Sequence, residues 1–464
     1  MPSFLRRISF PRARKTPSTT DEQSEVILET KLKTHEEQHE DEPLPLPTPD
    51  TQRVLLLHAA KQPYQLTEKY AVPAVQGHHE VLVRTQAIGL NPIDWKAPDF
   101  NFAIPELPYI SGRELAGEVV QKPNSSSRLK ARDRVLVIST DYRDLRKAAY
   151  QEYVVAFDYN TVRLPPSLSV EEGSTLGVAF VAAVLSLGVC MGVDFSHVLD
   201  GPDLLTILRN IDPESIPADV RQESLEGIQD HERAGPGDWL AIWGGSSTSA
   251  NLTIQLAKLA GLKTISIVNK AKHGLRLSNH EVIKTDLLVD SHDPSRAVEI
   301  IRSNLQGKLR FGIDTVGRES STSLLQALTP TPSGSGGSKV GGGPSDSPPS
   351  PPSTPHESSV SNSRASSVSD SEPNLKSHLI GLTGLPKQTA PKGTKFHTVP
   401  IKLFHEVPAV GDVLVRWFER LLEKGLVSPP EIIDVEQGLE SVNAGLDRMR
   451  RGEISGGKLV VRVA

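Results

Sequence analysis

From Val54 onward the hydrophobic positions fall into short Val- and Leu-rich runs, "RVLLLHAA", "HEVLVRTQAIGL", "LAGEVVQ", "DRVLVIS" and "QEYVVAF", separated by Gly, Pro and Asn. Runs of this length and punctuation predict strands, and their spacing predicts a small antiparallel β domain. The pattern changes at "SVEEGSTLGVAFVAAVLSLGV". Its long run of small and apolar residues predicts a helix, with Glu171 and Glu172 near the dipole end that favours acids. Residues 194–234 mix charges with one short amphipathic element, "DLLTILRNI", and read as an insertion. From Trp239 strand-like and helix-like patterns alternate: "WLAIW", "NLTIQLAKLA", "KTISIV", "DLLVD", "SRAVEIIRSNL", "LRFGIDTV", "STSLLQAL". Such alternation predicts βαβ units around a doubly wound parallel sheet, an α/β fold. The chain closes with "VGDVLVRWFERLLEKGLVSP", a helix, and "SGGKLVVRVA", a strand. No repeat of 20–50 residues interrupts this order.

Composition changes the picture in two places. Residues 1–50 begin basic, turn acid-rich and end in "LPLPTPD", and between Thr329 and Leu375 lie 15 serines and 9 prolines. Neither stretch can bury enough apolar surface to fold, so a disordered tail and a disordered loop over 329–376 are expected. The antiparallel domain is expected over 51–185, completed by 400–464, and the parallel domain over 186–399. The formal net charge of -5 gives no field that would draw in nucleic acid or an anionic membrane. No apolar run reaches the length of a membrane helix, and a soluble protein is expected. The one cysteine, Cys190, excludes an internal disulfide and thiolate-rich zinc clusters. The first twenty residues carry five basic side chains and no acid, a transit-peptide composition, but Pro2, Pro11 and Pro17 spoil the required amphipathic helix. A cytoplasmic location is expected, with a mitochondrial one as the alternative.

The candidate chemistry centres on "IWGGSSTSAN", where an apolar strand runs through two glycines into a helix. A helix N-terminus in such a turn aims backbone N–H groups and the positive dipole end at its contents, commonly a phosphate. Gly244 fills the tight-turn role of a dinucleotide loop and Ala250 the helix-packing role, with Gly245 beside the turn. Ser246, Ser247, Thr248 and Ser249 stand where a second glycine is usual; their hydroxyls could replace close backbone approach, or merely cap the helix. At the end of the next strand, "TISIVNKAKHGLR" carries no acid to hold a ribose 2′-hydroxyl but does carry Asn269, Lys270, Lys272 and Arg276. That pattern favours NADP(H) over NAD(H).

With these motifs assembled, the chain resembles the medium-chain dehydrogenase/reductase superfamily, a GroES-like antiparallel β domain followed by a Rossmann domain. The resemblance rests on "GHHEVLVRTQAIGLNPIDWK", "LPYISGRELAGEVV", "YQEYVVAFDYNTVRLPPSLSVEEGSTL", "WGGSSTSANLTIQLAKLAGLKTISIV", "LRFGIDTVG" and "GGKLVVRV", which occur in family order. "LNPIDWK" and "WGGSSTSA" are most similar to zinc-independent fungal enoyl reductases and quinone-oxidoreductase-like proteins. The resemblance implies no metal: Asn91 and Arg113 stand where zinc alcohol dehydrogenases carry a cysteine and a histidine, and the four-cysteine lobe is missing. Without such a Lewis acid, the implied reaction is hydride transfer from NADPH to an activated C=C bond or a quinone. Lys96 is the candidate cation for the developing oxygen charge. Asn91 is either a hydrogen-bond donor to cofactor or substrate, or the cap of the "NPID" turn. The family's proton-donating tyrosine is absent from "KAPDFNFAIP"; Tyr109 is the nearest replacement, with a structural role as its alternative. Asp94 and Glu114 resemble structural acids, and Asp314 either lines the cofactor cleft or holds a turn. A small-molecule substrate and a monomer or homodimer are expected, with a polyketide synthase as a partner. The competing expectation is an NADPH-binding scaffold of the same fold.

Overall fold

The computed structural model describes residues 46–122, 127–328 and 375–463. The stretches expected to be a tail and a loop fall almost wholly outside them. Among the described residues, one sheet is mostly antiparallel. Its strands are β3 (Glu80–Gly89), β4 (Glu114–Gln121), β5 (Arg134–Ile138), β6 (Tyr153–Phe157), β7 (Thr161–Arg163), β14 (Ile432–Gln437) and β15 (Lys458–Arg462). They run in the order β14-β15-β3-β4-β5-β7, with β6 also paired to β3, and only β14 and β15 are parallel. A two-stranded antiparallel ribbon, β1 (Thr51–Leu56) and β2 (Gln65–Ala71), joins them.

The second sheet is wholly parallel. Its strands are β8 (Trp239–Trp243), β9 (Lys263–Val268), β10 (Leu287–Asp290), β11 (Leu309–Asp314), β12 (Ser377–Gly381) and β13 (Thr394–His397), in the order β10-β9-β8-β11-β12-β13. Its central strands are buried along their length, as "LAIW", "TISIV" and "FGID" show, because helices cover both faces. The chain leaves β8 toward β9 and later returns to β8's other side with β11. The strand order therefore reverses between β8 and β11, where open α/β sheets bind ligands. The expected antiparallel and doubly wound architecture is present.

Helices tie the two parts together across the expected boundary. Helix α2 (Gly177–Leu185), placed by its position in the chain with the antiparallel domain, touches β5 of that domain and packs most extensively on α4 (Thr248–Leu259), the helix that follows β8. Its all-apolar surface needs cover on every side, which the sheet-facing helix supplies. Helix α6 (Pro408–Glu423), also expected there, bridges the two parts: Phe418 stacks on Phe180 of α2 at 3.8 Å between centroids. Its Glu419 meanwhile ion-pairs with Arg128 and Arg163 of the antiparallel side. One stretch, Val170–Cys190, does reach membrane-span length and hydropathy, contrary to expectation, but 89% of it is buried inside the fold. The insertion is no loose decoration. Leu204, Leu205, Leu208 and Ile216 are buried in the main core, and Lys395 of β13 donates to the Glu226 carbonyl at 2.7 Å. It docks at the β13 edge, two strands from the β8/β11 crevice.

Candidate functional site

At the end of β8 the chain turns through Gly244, whose φ is +82°. A Cβ there would stand 2.3 Å from Thr315 Oγ1, and one on Gly245 would stand 2.5 Å from Ser266 Oγ. Both positions need glycine for lack of room, and Gly244 also for its left-handed backbone. Ser247 is the N-cap of α4: its Oγ accepts from the Ala250 N–H at 3.2 Å and donates to Thr315 Oγ1 at 3.0 Å. Thr315 Oγ1 also lies 3.1 Å from the carbonyls of Trp243 and Gly244, tying the turn to the end of β11. Ala250 is fully buried in the helix–sheet packing. The hydroxyls of Ser246, Thr248 and Ser249, and their backbone N–H groups, have no partner among the described residues. One hydroxyl of the four thus shapes the loop and three remain free.

The turn opens on a cavity of about 710 Å³, whose wall includes Gly244, Ser246, Asn269, His273, Ser291 and Ser320. That volume suits a nucleotide-sized ligand. At the end of β9, Asn269 caps α5 (Lys270–Asn279), its side chain accepting from the Lys272 N–H at 3.1 Å. Lys270 and Lys272 are exposed and form no ion pair among the described residues. The acid nearest this rim is Asp290, one strand further out. The Lys270 and His292 N–H groups engage it and hold its carboxyl below the usual range. Arg276 leans toward Glu431 at 3.6 Å. Buried His273 was not foreseen. Its Nε2 lies 2.9 Å from Ser455 Oγ, and burial with the charges of Arg276 and Lys272 lowers its pKa. A neutral imidazole is thereby held against the cavity at neutral pH.

Asp314 ends β11 on the other side of the crevice. Its Oδ1 accepts from the N–H groups of Val316 and Gly317 at 3.1 and 2.7 Å, so it holds the turn that walls the cavity. Its Oδ2 has no partner, and burial raises its pKa to about 6. Thr315 and Ser320, which the sequence pattern did not single out, belong to the same turn.

The second group of expected residues surrounds helix α1 (Pro92–Phe100), for which Asn91 is the N-cap. The Asn91 amide donates to the Gly89 carbonyl at 3.2 Å and Glu114 Oε1 at 3.0 Å, while its oxygen accepts from Lys458 Nζ at 2.7 Å. Lys458 also ion-pairs with Glu114 and donates to the Leu90 carbonyl at 3.1 Å. Glu114 in turn accepts from the Val178 N–H of α2 at 2.9 Å. Every donor of Asn91 is thus committed, which corrects its expected role as donor to cofactor or substrate: it is a positioning residue in a buried network. Asp94 Oδ2 accepts from the Asn91 N–H at 2.8 Å, and burial raises the Asp94 pKa to about 6 against the opposing charges of Arg113 and Lys458.

Lys96 lies on α1 itself and shares no hydrogen bond with the Asn91 network. The residue is half-buried, its ammonium 5.6 Å from the Trp95 ring centroid, and it pairs with no acid among the described residues. Tyr109 is only 2% exposed, with its pKa raised by burial, and is bridged through its backbone to Leu57. That placement favours the structural role.

Known proteins resemble this chain in sequence and in fold. Residues 77–166 match the model of the alcohol dehydrogenase GroES-like domain. The trans-enoyl reductase BOA5 of Botryotinia fuckeliana is 26% identical over 408 residues, covering 86% of this chain and 96% of its own. The trans-enoyl reductase mycC of Thermothelomyces thermophilus is 26% identical over 428 residues, covering 89% and 97%. Among solved structures, a putative NADPH:quinone reductase from Bacillus thuringiensis superposes with a TM-score of 0.61 at 16% identity, covering 89% of this chain and 99% of that one. The CurK enoyl reductase superposes with a TM-score of 0.59 at 14% identity, covering 90% and 100%.

Proposed function

We propose that the chain is an NADPH-dependent reductase of activated C=C bonds, on the fungal enoyl-reductase-like branch of the medium-chain dehydrogenase/reductase superfamily that its sequence and fold resemble. The acceptor is an enone or an enoyl thioester, with a quinone as the variant of the same chemistry. The observation that carries this reading is the cradle after β8. Ser246 lines a nucleotide-sized cavity at the start of a helix whose first N–H groups are free, and the end of β9 offers Lys270 and Lys272, with Asp290 engaged by the Lys270 N–H. Ser246, Thr248 and Ser249 fit the pyrophosphate, and Asn269, Lys270 and Lys272 fit the ribose 2′-phosphate. NADPH supplies the hydride when bound. Hydride adds to the β-carbon, the C=C bond opens toward the carbonyl oxygen, and a proton from water completes the α-carbon. Lys96, unpaired, is the cation assigned to the transient oxygen charge, an interaction that strengthens as the charge forms. Delivery of the substrate as a thioester by a polyketide synthase acting in trans fits the reductase names of the relatives.

The test is an NADPH fluorescence titration followed by turnover against a panel of enones, enoyl thioesters and quinones, with wild type and Lys96→Ala side by side. Binding and turnover are expected, with kcat reduced in the variant and NADPH affinity unchanged. No NADPH binding would end the reductase reading. Binding without turnover would leave the scaffold reading, and full activity in Lys96→Ala would remove that residue from the chemistry alone.

A further inference from the structure

We propose that Cys190, Glu223 and His397 form a binding site for a divalent transition-metal ion of the zinc type, pinning the insertion to the edge of the parallel sheet. The three residues come from three separate elements: Cys190 ends the π-helical turn after α2, Glu223 lies on the insertion helix α3 (Ala218–Glu226), and His397 ends β13. One ligand atom from each lies within 4.8 Å of the others. Thiol, carboxylate and imidazole are the three donor types that zinc accepts. The cysteine that excludes a thiolate cluster does not exclude a mixed site.

The surroundings match what a bound metal needs. His397 Nδ1 faces Glu223 Oε1 at 2.6 Å, and its Nε2 faces His378 Nδ1 at 2.9 Å. A ligating imidazole ordinarily donates its other N–H to a neighbouring acceptor, which fixes ring and tautomer. His378 Nδ1 is placed to accept it, on a ring that is fully buried and stacked on Phe311. With Nδ1 accepting, the remaining proton of His378 rests on Nε2, the ring atom that has no partner. Charge also balances. A thiolate, a carboxylate and a neutral imidazole around a dication sum to zero, the arrangement least penalised by burial. Cys190 binds as the thiolate, so its thiol proton passes to solvent as the sulfur–metal bond forms. Tetrahedral bonds of about 2.0–2.1 Å place nitrogen and oxygen ligands roughly 3.3 Å apart, so Glu223 must draw back slightly from His397. It is half-buried, and the side that faces solvent leaves room for water as a fourth ligand.

The test uses the untagged full chain, stripped with a chelator and titrated with Co2+ and separately with Zn2+. One equivalent of Co2+ per chain is expected, with sulfur-to-cobalt charge-transfer absorption, and Zn2+ is expected to raise the thermal midpoint. Cys190→Ser should lose the charge-transfer band, and Glu223→Gln should weaken binding at least tenfold while far-ultraviolet circular dichroism stays that of wild type. Absence of the band in wild type, or unchanged Co2+ affinity in both variants, would overturn the proposal. None of these readouts depends on reductase activity.

Discussion

Replacing Ser246 and Ser247 separately by alanine distinguishes a phosphate contact from a structural cap. Ser247 Oγ is already used twice, accepting from Ala250 and donating to Thr315. Losing an N-cap costs about 1 kcal/mol and losing the Thr315 contact about 1 more, so Ser247→Ala should destabilise the fold by about 2 kcal/mol. Its effect on NADPH affinity should stay within about 0.7 kcal/mol, roughly threefold. Ser246 lines the cavity and has no partner of its own. A hydrogen bond to a charged phosphate oxygen is worth about 1.5–3 kcal/mol, so Ser246→Ala should raise the NADPH Kd by about 10- to 160-fold. Its urea midpoint should be that of wild type. The assays are NADPH fluorescence titration and equilibrium urea unfolding on both variants. The reasoning fails if Ser246→Ala binds NADPH like wild type, or if Ser247→Ala loses affinity at unchanged stability.

Gly244→Ala should cost about 1–2 kcal/mol for its left-handed backbone and about 1–3 kcal/mol for the clash with Thr315 and Val316. Urea unfolding checks the sum, and NADPH binding should fall with it. Lys458→Met strands the Glu114 carboxylate beside Asn91, and breaking a buried pair costs about 3–5 kcal/mol. Adding Glu114→Gln should recover part of that loss, whereas simple additivity of the two changes would refute the network. The carboxyls of Asp94 and Asp314 both sit at about 6, above their ordinary 3.8. The folded state therefore holds their protons more tightly than the unfolded chain does. The stability they contribute is fully present below about pH 4 and is lost as pH rises to about 6. A proton held tenfold more tightly is worth about 1.4 kcal/mol, so Asp314→Asn should gain on wild type between pH 4 and 6 and hold a constant difference above. An unchanging difference across that range would contradict the assignment.

How much of this was legible depended on whether the signal was local. The strands of the parallel sheet could be read because helices cover both faces, which forces "LAIW" and "TISIV" to be continuously apolar. The turn at Gly244 could be read because a strand, a glycine pair and a helix start are consecutive in the chain. Helix α2 was harder to place for a related reason: its hydrophobicity is unbroken on all faces, so it carries no direction, and its packing on α4 as well as on β5 left no trace in the pattern. The buried network was invisible because Asn91 and Lys458 are separated by 367 positions and neither leaves a periodic trace.

The same distinction explains why the hydroxyl row can stand in for glycine. A glycine in the middle of a dinucleotide loop lets the backbone come near the phosphates. Here the close approach is confined to Gly244 and Gly245, where Thr315 and Ser266 leave no room for a Cβ. Beyond them the chain enters α4 at once, and Ser247 fixes that entry by capping the helix and gripping Thr315 across the crevice. With the loop anchored by one hydroxyl, Ser246, Thr248 and Ser249 need not hold it, and Ser246 lines the cavity instead. The loop's geometry thus rests on the contact between β8 and β11, the two strands that flank the switch point. A change at Thr315 should therefore cost stability as Ser247→Ala does, and leave NADPH affinity as little changed.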